Sequence, residues 1–334
     1  MTDTPELHRR ATTFVSCERG ILAADESIGT MSSRLEAEGV AASEETRRAY
    51  RELLLTAPGL SDHVSGIILC DETFRQRVTA DETFPGAARE RGVLPGIKVD
   101  TGTQVHPGAT RATVTRGLDG LGARLEEYVS LGAAFAKWRA VVDVSDPSAA
   151  ALDDNADALA AYARACQAAG VVPIVEPEVL CSGEHGIDEC AEVTATTLRR
   201  VFVALDEQAV DLAGIVLKPN MVTPGLAHPG GRATPEAVAA ATLEVMRAVV
   251  PAQVPGIAFL SGGHSNSDAC AYLAAINERA GDAPWQLTFS FGRALVSDAL
   301  RAWAGDPRRV TEAQDRLIAN CRRAAEATRR PVAA

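Results

Sequence analysis

Residues 214–225 read GIVLKPNMVTPG, an apolar run with a lysine, Lys218, directly before a proline. The 334-residue chain has 33 Lys and Arg in total, yet only Lys98, Lys137 and Lys218 are lysines. All three lie in apolar, strand-like runs. Arginine keeps its charge at any working pH, whereas a desolvated lysine amine can lose its proton and attack a carbonyl. The distribution therefore indicates a site that needs amine chemistry.

The composition is that of a soluble globular protein, with 46% hydrophobic and 23% charged residues. The length allows two or three ordinary domains, and it equally fits one α/β barrel. A net charge of −11 argues against nucleic-acid and acidic-membrane partners, so no nucleic acid and no membrane is expected as a partner.

The first residues lack the apolar core of a signal peptide, and no apolar run approaches ~18 residues, so the sequence predicts a cytoplasmic protein. The seven cysteines are scattered and never spaced as CxxC. Such cysteines are expected to be reduced thiols, mostly in the core. They are Cys17, Cys70, Cys166, Cys181, Cys190, Cys270 and Cys321.

Strand-like apolar runs alternate with longer helical patterns along the whole chain. Eight strands are predicted, at 20–25, 64–71, 95–100, 134–142, 172–178, 214–220, 256–262 and 286–292. Helices are predicted at 44–57, 118–131, 149–169, 187–208, from Thr234-Pro235 onward, at 269–279 and at 308–329. Several strands are apolar without a break, which is typical of parallel strands covered on both faces. In residues 72–91, after the second strand, a helix is hard to recognise.

Eight strands alternating with helices predict a (β/α)8 TIM barrel. We expect one barrel domain over residues 1–334, with a helical extension at about 307–330. The competing fold is a doubly wound sheet. That fold usually has fewer strands, and its dinucleotide-binding form would show a GxGxxG turn after the first strand, which is absent.

In a barrel, functional side chains collect at the C-terminal ends of the strands. The predicted ends are Asp25-Glu26-Ser27, Asp71, Lys98-Val-Asp100, Lys137-Trp-Arg139, Glu176-Pro-Glu178, Lys218-Pro-Asn220, Ser261-Gly262-Gly263 and Ser290-Phe-Gly292-Arg293. Buried charges are costly unless they are paired, so this density of charge indicates a functional site.

Side-chain alternation lets Lys137 and Lys218 point inward together, with Glu176 or Glu178 on the strand between them. We expect the two amines to lower each other's pKa through repulsion and desolvation. One amine would then act as nucleophile and the other group as acid or base, as formation of a carbinolamine and an imine requires. The alternative is a buried ion-pair network that only fixes strand register.

The last two strands end in glycines that precede helices, Ser261-Gly262-Gly263 and Gly292-Arg293. Backbone amides at helix N-termini bind phosphate, and these two loops are the usual phosphate site of a barrel. Ser27 and Thr30 form either a second anion site or a helix cap.

Other candidates are weaker. The segment 181–190 contains potential metal ligands, but their spacing matches no zinc pattern, so no metal is expected there. His106, His228 and His264 fall in predicted loops and are expected to be solvated. No Walker loop, HExxH or GxSxG motif occurs.

The motifs GILAADES, GIKVD, GLDGL, FAKWR, VPIVEPE, LKPNMVTPG, FLSGG and TFSFGRAL closely resemble those of class I, Schiff-base-forming fructose-bisphosphate aldolase. They occur in order from about Gly20 to about Trp303. The resemblance implies a (β/α)8 barrel that reversibly cleaves fructose 1,6-bisphosphate to dihydroxyacetone phosphate and glyceraldehyde 3-phosphate in glycolysis and gluconeogenesis. It also implies that no metal or other cofactor is needed, and that the protein is a homotetramer.

By the same resemblance, Lys218 would form the imine. Glu176 would be the acid and base for dehydration and hydrolysis of the carbinolamine, with Glu178 assisting electrostatically. Lys137 would transfer protons and hold substrate oxygens. Asp25 would take the proton of the C4 hydroxyl as the C3–C4 bond breaks.

The remaining residues would bind substrate. Lys98 would lie near Asp25, and Ser261, Gly262, Gly292 and Arg293 would hold the phosphate of the ketone half. Ser27, Thr30 and Arg139 are the candidates for the other half.

The chain departs from the family at a few positions. Eukaryotic members end in a tail with a terminal tyrosine that helps protonate the enamine, whereas this sequence ends ATRRPVAA. Phe291, Thr101 and His264 replace the usual tyrosine, lysine and glutamine. The alternative functions are another imine-forming aldolase or transaldolase acting on a different sugar phosphate, or, in another class, a barrel kept as a binding or scaffold protein. A metal-assisted aldolase is disfavoured because no histidine cluster falls at the predicted strand ends.

Overall fold

The computed structural model describes residues 4–16, 18–146 and 148–330. The strands are β1 (Gly20–Ala24), β2 (Val64–Leu69), β3 (Leu94–Lys98), β4 (Thr103–Val105), β5 (Thr113–Thr115), β6 (Phe135–Val142), β7 (Val172–Val179), β8 (Val216–Leu217), β9 (Gly256–Phe259) and β10 (Gln286–Phe291). The helices are α1 (Thr4–Val15), α2 (Ile28–Ala37), α3 (Glu44–Leu55), α4 (Leu60–His63), α5 (Asp71–Arg75), α6 (Phe84–Glu90), α7 (Leu121–Ser130), α8 (Ala149–Ala168), α9 (Ile187–Glu207), α10 (Pro235–Val249), α11 (Asn266–Arg279), α12 (Arg293–Trp303) and α13 (Val310–Glu326). In these ranges no helix has both the length and the apolar character needed to cross a membrane.

All strands except β4 and β5 form a closed parallel barrel in chain order. The last strand returns to the first, with Ile21 of β1 paired with Ser290 of β10. All eight predicted strands are present, and the (β/α)8 prediction is confirmed. Strand β8 is reduced to two residues.

Local capping explains where several helices begin. Ser43 and Thr46 form a reciprocal capping box at the start of α3. At α10, the Thr234 side chain accepts a hydrogen bond from the Ala237 amide, and Pro235 occupies the first turn, where no amide hydrogen is missed.

The structure of the region after β2 differs from the one predicted from the sequence. Strand β2 ends at Leu69, and Asp71 begins the short helix α5, followed by the short helix α6. Asp71 is exposed there and pairs with Arg75 and the Tyr128 hydroxyl. The prediction of Asp71 as a strand-end residue was therefore wrong. Two short helices replace one long one, which is why no helical pattern stood out in 72–91.

Helix α1, helix α2 and the antiparallel hairpin β4–β5 were not predicted. Helix α1 contributes Phe14 to the interior of the barrel, where its ring lies 4.4 Å from that of Phe135. The C-terminal helix α13 packs against α11 and α12, inside the predicted extension.

Two apolar layers show which strand residues face inward. Ile174 belongs to the cluster inside the barrel, and Val175 belongs to the layer between the strands and the helices. The same inside-then-outside order holds for Val216 and Leu217 of β8. Because side chains alternate along a strand, the next inward positions carry the charges at the C-terminal end of the barrel.

Candidate active site

A cavity of about 480 Å³ opens at the C-terminal ends of the strands. It is lined by all of the predicted site residues: Lys218, Glu176, Lys137, Asp25, Glu178, Lys98, Arg139, Ser27, Thr30, Ser261, Gly262, Gly292 and Arg293. Glu26, Asp100 and Ser290 also line it; the sequence placed them at strand ends but gave them no role. Arg34 and Thr103 line it as well, and the sequence did not single them out.

Lys218 follows β8 directly and is buried, with 3% of its surface exposed. Its backbone amide donates to the Val175 carbonyl at 2.8 Å, which continues the β7–β8 ladder by one residue. Its Nζ lies 3.0 Å from Glu176 Oε1. The lysine is thus held on a strand and paired with a buried carboxylate.

Glu176 lies between the two buried lysines. Its second oxygen, Oε2, is 3.2 Å from Lys137 Nζ. That oxygen forms an ion pair without hydrogen-bond geometry, and among the described residues it has no hydrogen-bond partner. Glu176 can therefore accept or return a proton without first breaking a hydrogen bond at Oε2.

Lys137 connects this pair to Asp25, whose Oδ2 lies 2.8 Å from Lys137 Nζ. Burial lowers the pKa of Lys137, but the carboxylates of Asp25, Glu176 and Asp100 outweigh burial, and the pKa is raised. The expectation that the amines lower each other's pKa is therefore wrong for Lys137. Repulsion between the lysines is weaker than attraction to several carboxylates.

For Asp25, burial acts to raise the pKa, but the ammonium groups of Lys137 and Lys218 together lower it well below its usual range. Asp25 is therefore an ionised carboxylate throughout the neutral and mildly acidic range.

Glu178 does not share the position of Glu176. Its Oε2 accepts a hydrogen bond from Arg139 Nε at 2.5 Å. Of the two carboxylates left open by the sequence, Glu176 is the one between the amines, and Glu178 holds the guanidinium at the rim.

Lys98 forms an ion pair with Asp100, with Nζ 2.5 Å from Oδ1, and it donates to the Asp100 carbonyl oxygen at 2.9 Å. The other oxygen of Asp100 lies 3.9 Å from Lys137 Nζ. Asp100 is thus part of the charge network. The signal for it was present in the sequence, since it shares a strand face with Lys98.

Ser261 to His264 form a tight turn at the end of β9, closed by a hydrogen bond of 2.9 Å from the His264 amide to the Ser261 carbonyl. Gly262 and Gly263 have φ of +55° and +95°, values that glycine adopts without strain. The Arg293 guanidinium lies against Gly263, so that a Cβ there would be 3.0 Å from Arg293 Nη2.

Arg293 is the first residue of α12 and is exposed. Lys98, Lys137, Arg139 and Lys218 each pair with a carboxylate. Within the described ranges Arg293 makes no such ion pair. With the helix N-terminus beside it, Arg293 is a free cation for an anionic ligand.

His264 contradicts its prediction, since it is buried with only 5% of its surface exposed. Its Nε2 is 3.3 Å from the Thr223 hydroxyl, and its ring meets Tyr272 edge-to-face. Burial lowers its pKa, which favours the neutral imidazole.

Ser27 caps α2, because its hydroxyl accepts a hydrogen bond from the Thr30 amide at 3.2 Å. The helix-cap interpretation is therefore confirmed, and both side chains also line the cavity, so a second anion site at this pair stays a prediction. Arg34, on the same helix, forms an ion pair with Glu26, which Arg51 also holds at 2.8 Å. Arg34 could not be found from sequence because α2 was not predicted.

Ser290 on β10 is buried, and its hydroxyl has no partner among the described residues. The described part of the chain contains no group of three or more His, Cys, Asp or Glu side chains able to hold a metal ion. All its cysteines are buried free thiols, while Cys17 lies outside the described residues.

Comparison with known proteins gives consistent matches. A family model described as fructose-bisphosphate aldolase class-I matches residues 6–332. The chain is 47% identical to cytosolic fructose-bisphosphate aldolase 4 of Arabidopsis thaliana over 327 residues, 97% of this chain and 83% of the relative. It is 49% identical to a probable fructose-bisphosphate aldolase class 1 of Xylella fastidiosa, over 90% of each chain.

Among solved structures, fructose-bisphosphate aldolase from Plasmodium falciparum, in complex with TRAP and a small-molecule inhibitor, superposes with a TM-score of 0.94. The two chains are 40% identical, and the match covers 97% of this chain and 94% of the other. Fold, site geometry and sequence agree: the chain belongs to the class I fructose-bisphosphate aldolase family.

Proposed function

We propose that Lys218 forms the imine through which this aldolase cleaves fructose 1,6-bisphosphate. The supporting observation is Glu176, a buried carboxylate in contact with both Lys218 and Lys137. A nucleophilic amine with an acid/base group at ion-pair distance is the arrangement that imine chemistry needs.

The first step joins the Lys218 nitrogen to C2 of the open-chain ketose. The Lys218 ammonium gives one proton to Glu176, and the neutral amine then attacks C2. One of the two protons left on that nitrogen moves to the C2 oxygen, which becomes the carbinolamine hydroxyl. Glu176 then returns its proton to this hydroxyl, which leaves as water, and an iminium remains between C2 and Lys218. Lys137 remains an ammonium because of the carboxylates around it, so it can hold the C2 oxygen before that oxygen departs.

Cleavage follows at the C3–C4 bond. Asp25 takes the proton of the C4 hydroxyl, the C4 oxygen forms the aldehyde, and the electrons of the C3–C4 bond flow into the iminium to give an enamine. Protonation at C3 and hydrolysis then release dihydroxyacetone phosphate. The lowered pKa of Asp25 keeps this base ionised at neutral pH, although it also makes the base a weak one until substrate rearranges the charges.

Two groups of residues are proposed to bind the phosphates. Ser261, Gly262, Gly292 and Arg293 would hold the phosphate of the ketone half, supported by the unpaired guanidinium of Arg293 and the glycine turn. Lys98, Arg139, Ser27 and Thr30 would contact the rest of the substrate. Glu178 would act through Arg139.

We propose that catalysis needs no metal, because the iminium and the Lys137 ammonium supply the electrophilic assistance. We further propose a cytoplasmic location, supported by the cytosolic relatives, and one barrel domain assembled as a homotetramer. Light scattering at several concentrations tests the assembly. Dialysis against EDTA should leave activity unchanged, and a loss restored by added Zn²⁺ would contradict metal independence.

The imine itself is tested by adding dihydroxyacetone phosphate, reducing with borohydride and locating the adduct by mass spectrometry. The chain offers only three lysines, Lys98, Lys137 and Lys218, so the position is easily assigned. We expect a reduced adduct on Lys218, and none in Lys218→Arg, whose circular dichroism should match wild type. An adduct on another lysine, or none at all, would refute the mechanism.

A further inference from the structure

The backbone pairing between β7 and β8 is interrupted at the level of the active site. The Lys218 amide donates to the Val175 carbonyl, and in a parallel ladder the next amide on that edge of β7 belongs to residue 177. Residue 177 is a proline and has no N–H to donate to the Lys218 carbonyl, so the ladder cannot continue through this position.

The Asn220 side chain fills the next place in this ladder. The amide of Val179 donates to Asn220 Oδ1 at 3.2 Å, where a regular ladder would use a backbone carbonyl oxygen of β8. Val179 follows Glu178 directly, and Asn220 lies two residues after Lys218. The Asn220 side-chain amide therefore replaces a backbone hydrogen bond between β7, which carries Glu176, and the segment after β8, which carries Lys218.

The amide is itself held from a third element. Its Nδ2 donates to the Thr194 hydroxyl of α9 at 3.1 Å and to the Met221 carbonyl at 3.2 Å. Asn220 has 0% of its surface exposed. A fully buried amide with its polar atoms bonded has one stable orientation, because any rotation would leave donors or acceptors unpaired.

We propose that Asn220 is a positioning residue for imine formation: it fixes the separation of β7 and β8, and so the distance between Glu176 and Lys218. This inference rests on the proposed function of Lys218 and Glu176. Asn220 touches neither the substrate cavity nor the reacting atoms. Its effect is on the 3.0 Å contact between Lys218 Nζ and Glu176 Oε1, and displacement of a reacting pair by about 1 Å can cost about a hundredfold in rate.

The test compares Asn220→Leu, which has a similar shape but no hydrogen bonds, with Thr194→Val. The Thr194 variant removes a partner of Asn220 but leaves the bond to Val179, so it is a matched control for lost stability. Rates are measured as borohydride-trapped adduct on Lys218 against time, at saturating dihydroxyacetone phosphate. The inhibition constant of inorganic phosphate measures separately whether the proposed phosphate-binding loops, at Ser261–Gly263 and Gly292–Arg293, remain intact in each variant.

We expect Asn220→Leu to slow trapping by about ten- to a hundredfold, with the phosphate constant changed less than about threefold. Thr194→Val should trap at close to the wild-type rate even if its Tm falls equally. If Asn220→Leu does not fold, Asn220→Ala removes the same bond without added bulk and carries the same expectation.

Equal trapping rates in wild type and the folded Asn220 variant would overturn the positioning role while leaving the imine on Lys218 intact. Equal slowing in both variants would overturn it too, because the effect would then follow stability alone. A wild-type enzyme with no adduct on Lys218 would instead refute the proposed function, and the positioning role with it.

Discussion

Replacing Glu176 by glutamine tests the electrostatic design of the site most directly. The substitution keeps the size of the side chain but removes the charge between Lys218 and Lys137. Two ion pairs, at 3.0 and 3.2 Å, are lost together. The amide cannot act as the base, so proton transfer to and from the carbinolamine should fail.

The magnitude follows from the geometry. At an effective dielectric constant of about 20, each of these contacts is worth about 5 kcal/mol before desolvation is subtracted. Removing one partner of a buried pair costs about 3–5 kcal/mol, because charge is left uncompensated. Loss of a positioned acid/base group costs about 10²–10⁴-fold in rate. We therefore expect Glu176→Gln to be less stable and to trap dihydroxyacetone phosphate about 10²–10⁴ times more slowly than wild type.

The stability loss should depend on pH in a defined direction. The folded-state pKa of Lys137 is raised, so its stabilisation is complete below the unfolded lysine pKa of about 10.4 and is lost as pH rises through the folded pKa. The difference in unfolding free energy between wild type and Glu176→Gln should therefore be largest near pH 7–9 and narrow above about pH 10.4.

Quenched-flow trapping with borohydride gives the imine rate, and urea denaturation at each pH gives the free energy of unfolding. Glu178→Gln is the matched control, since it lies on the same face of the same strand but is paired with Arg139. Its imine rate should fall less than about tenfold. Near-wild-type trapping by Glu176→Gln, or equal losses in both variants, would show that Glu176 is not the acid/base group.

Other substitutions separate the remaining roles. Asp25→Asn should still form the adduct on Lys218 but cleave fructose 1,6-bisphosphate about 10²–10⁴-fold more slowly, and loss of the adduct would contradict this assignment. Because the pKa of Asp25 is lowered, its stabilisation is present above the unfolded pKa of about 3.9 and is lost as pH falls through the folded value. The stability difference from Asp25→Asn should accordingly be constant from about pH 7 to pH 5 in urea titrations. Arg293→Gln should raise KM about ten- to a hundredfold, with a smaller change in kcat, because a charged hydrogen bond of about 1.5–3 kcal/mol is lost. An unchanged KM would show that Arg293 does not bind the substrate phosphate.

The barrel could be predicted because its strands carry a strong local signal. Strand β1 (GILAA) is a continuous apolar run and β7 begins with one (VPIV), and the charged residues that follow, Asp25 and Glu176, stand out against them. Side-chain alternation then placed Lys137 and Lys218 on the inner face, and the structure agrees. Helix α2 and the short helices after β2 lacked such a signal, so Arg34 was missed and Asp71 was misplaced.

Other features depend on how strands are staggered, which no local pattern encodes. Glu176 and Glu178 have the same parity, so alternation alone could not choose between them. The register pairs Arg139 with Glu176 and Lys137 with Ile174 along the backbone, and the tilt of the strands then decides which side chains meet. The raised pKa of Lys137 is also collective, because it depends on carboxylates from β1, β3 and β7 at once.

At two of the three lysine positions, the choice of lysine over arginine has a physical reason. An arginine in place of Lys218 would have no nucleophilic nitrogen at working pH. At Lys137, a single ammonium contacts Asp25 at 2.8 Å and Glu176 at 3.2 Å from within the inner layer of the barrel. A planar guanidinium at this position would be larger, and its N–H donors would point in fixed directions. Arg139 and Arg293 lie toward the rim, where size matters less and paired or phosphate-directed donors are useful. Lysine therefore occupies the interior of the site, where a compact amine can react, and arginine occupies the rim, where a planar guanidinium binds anions but does not react.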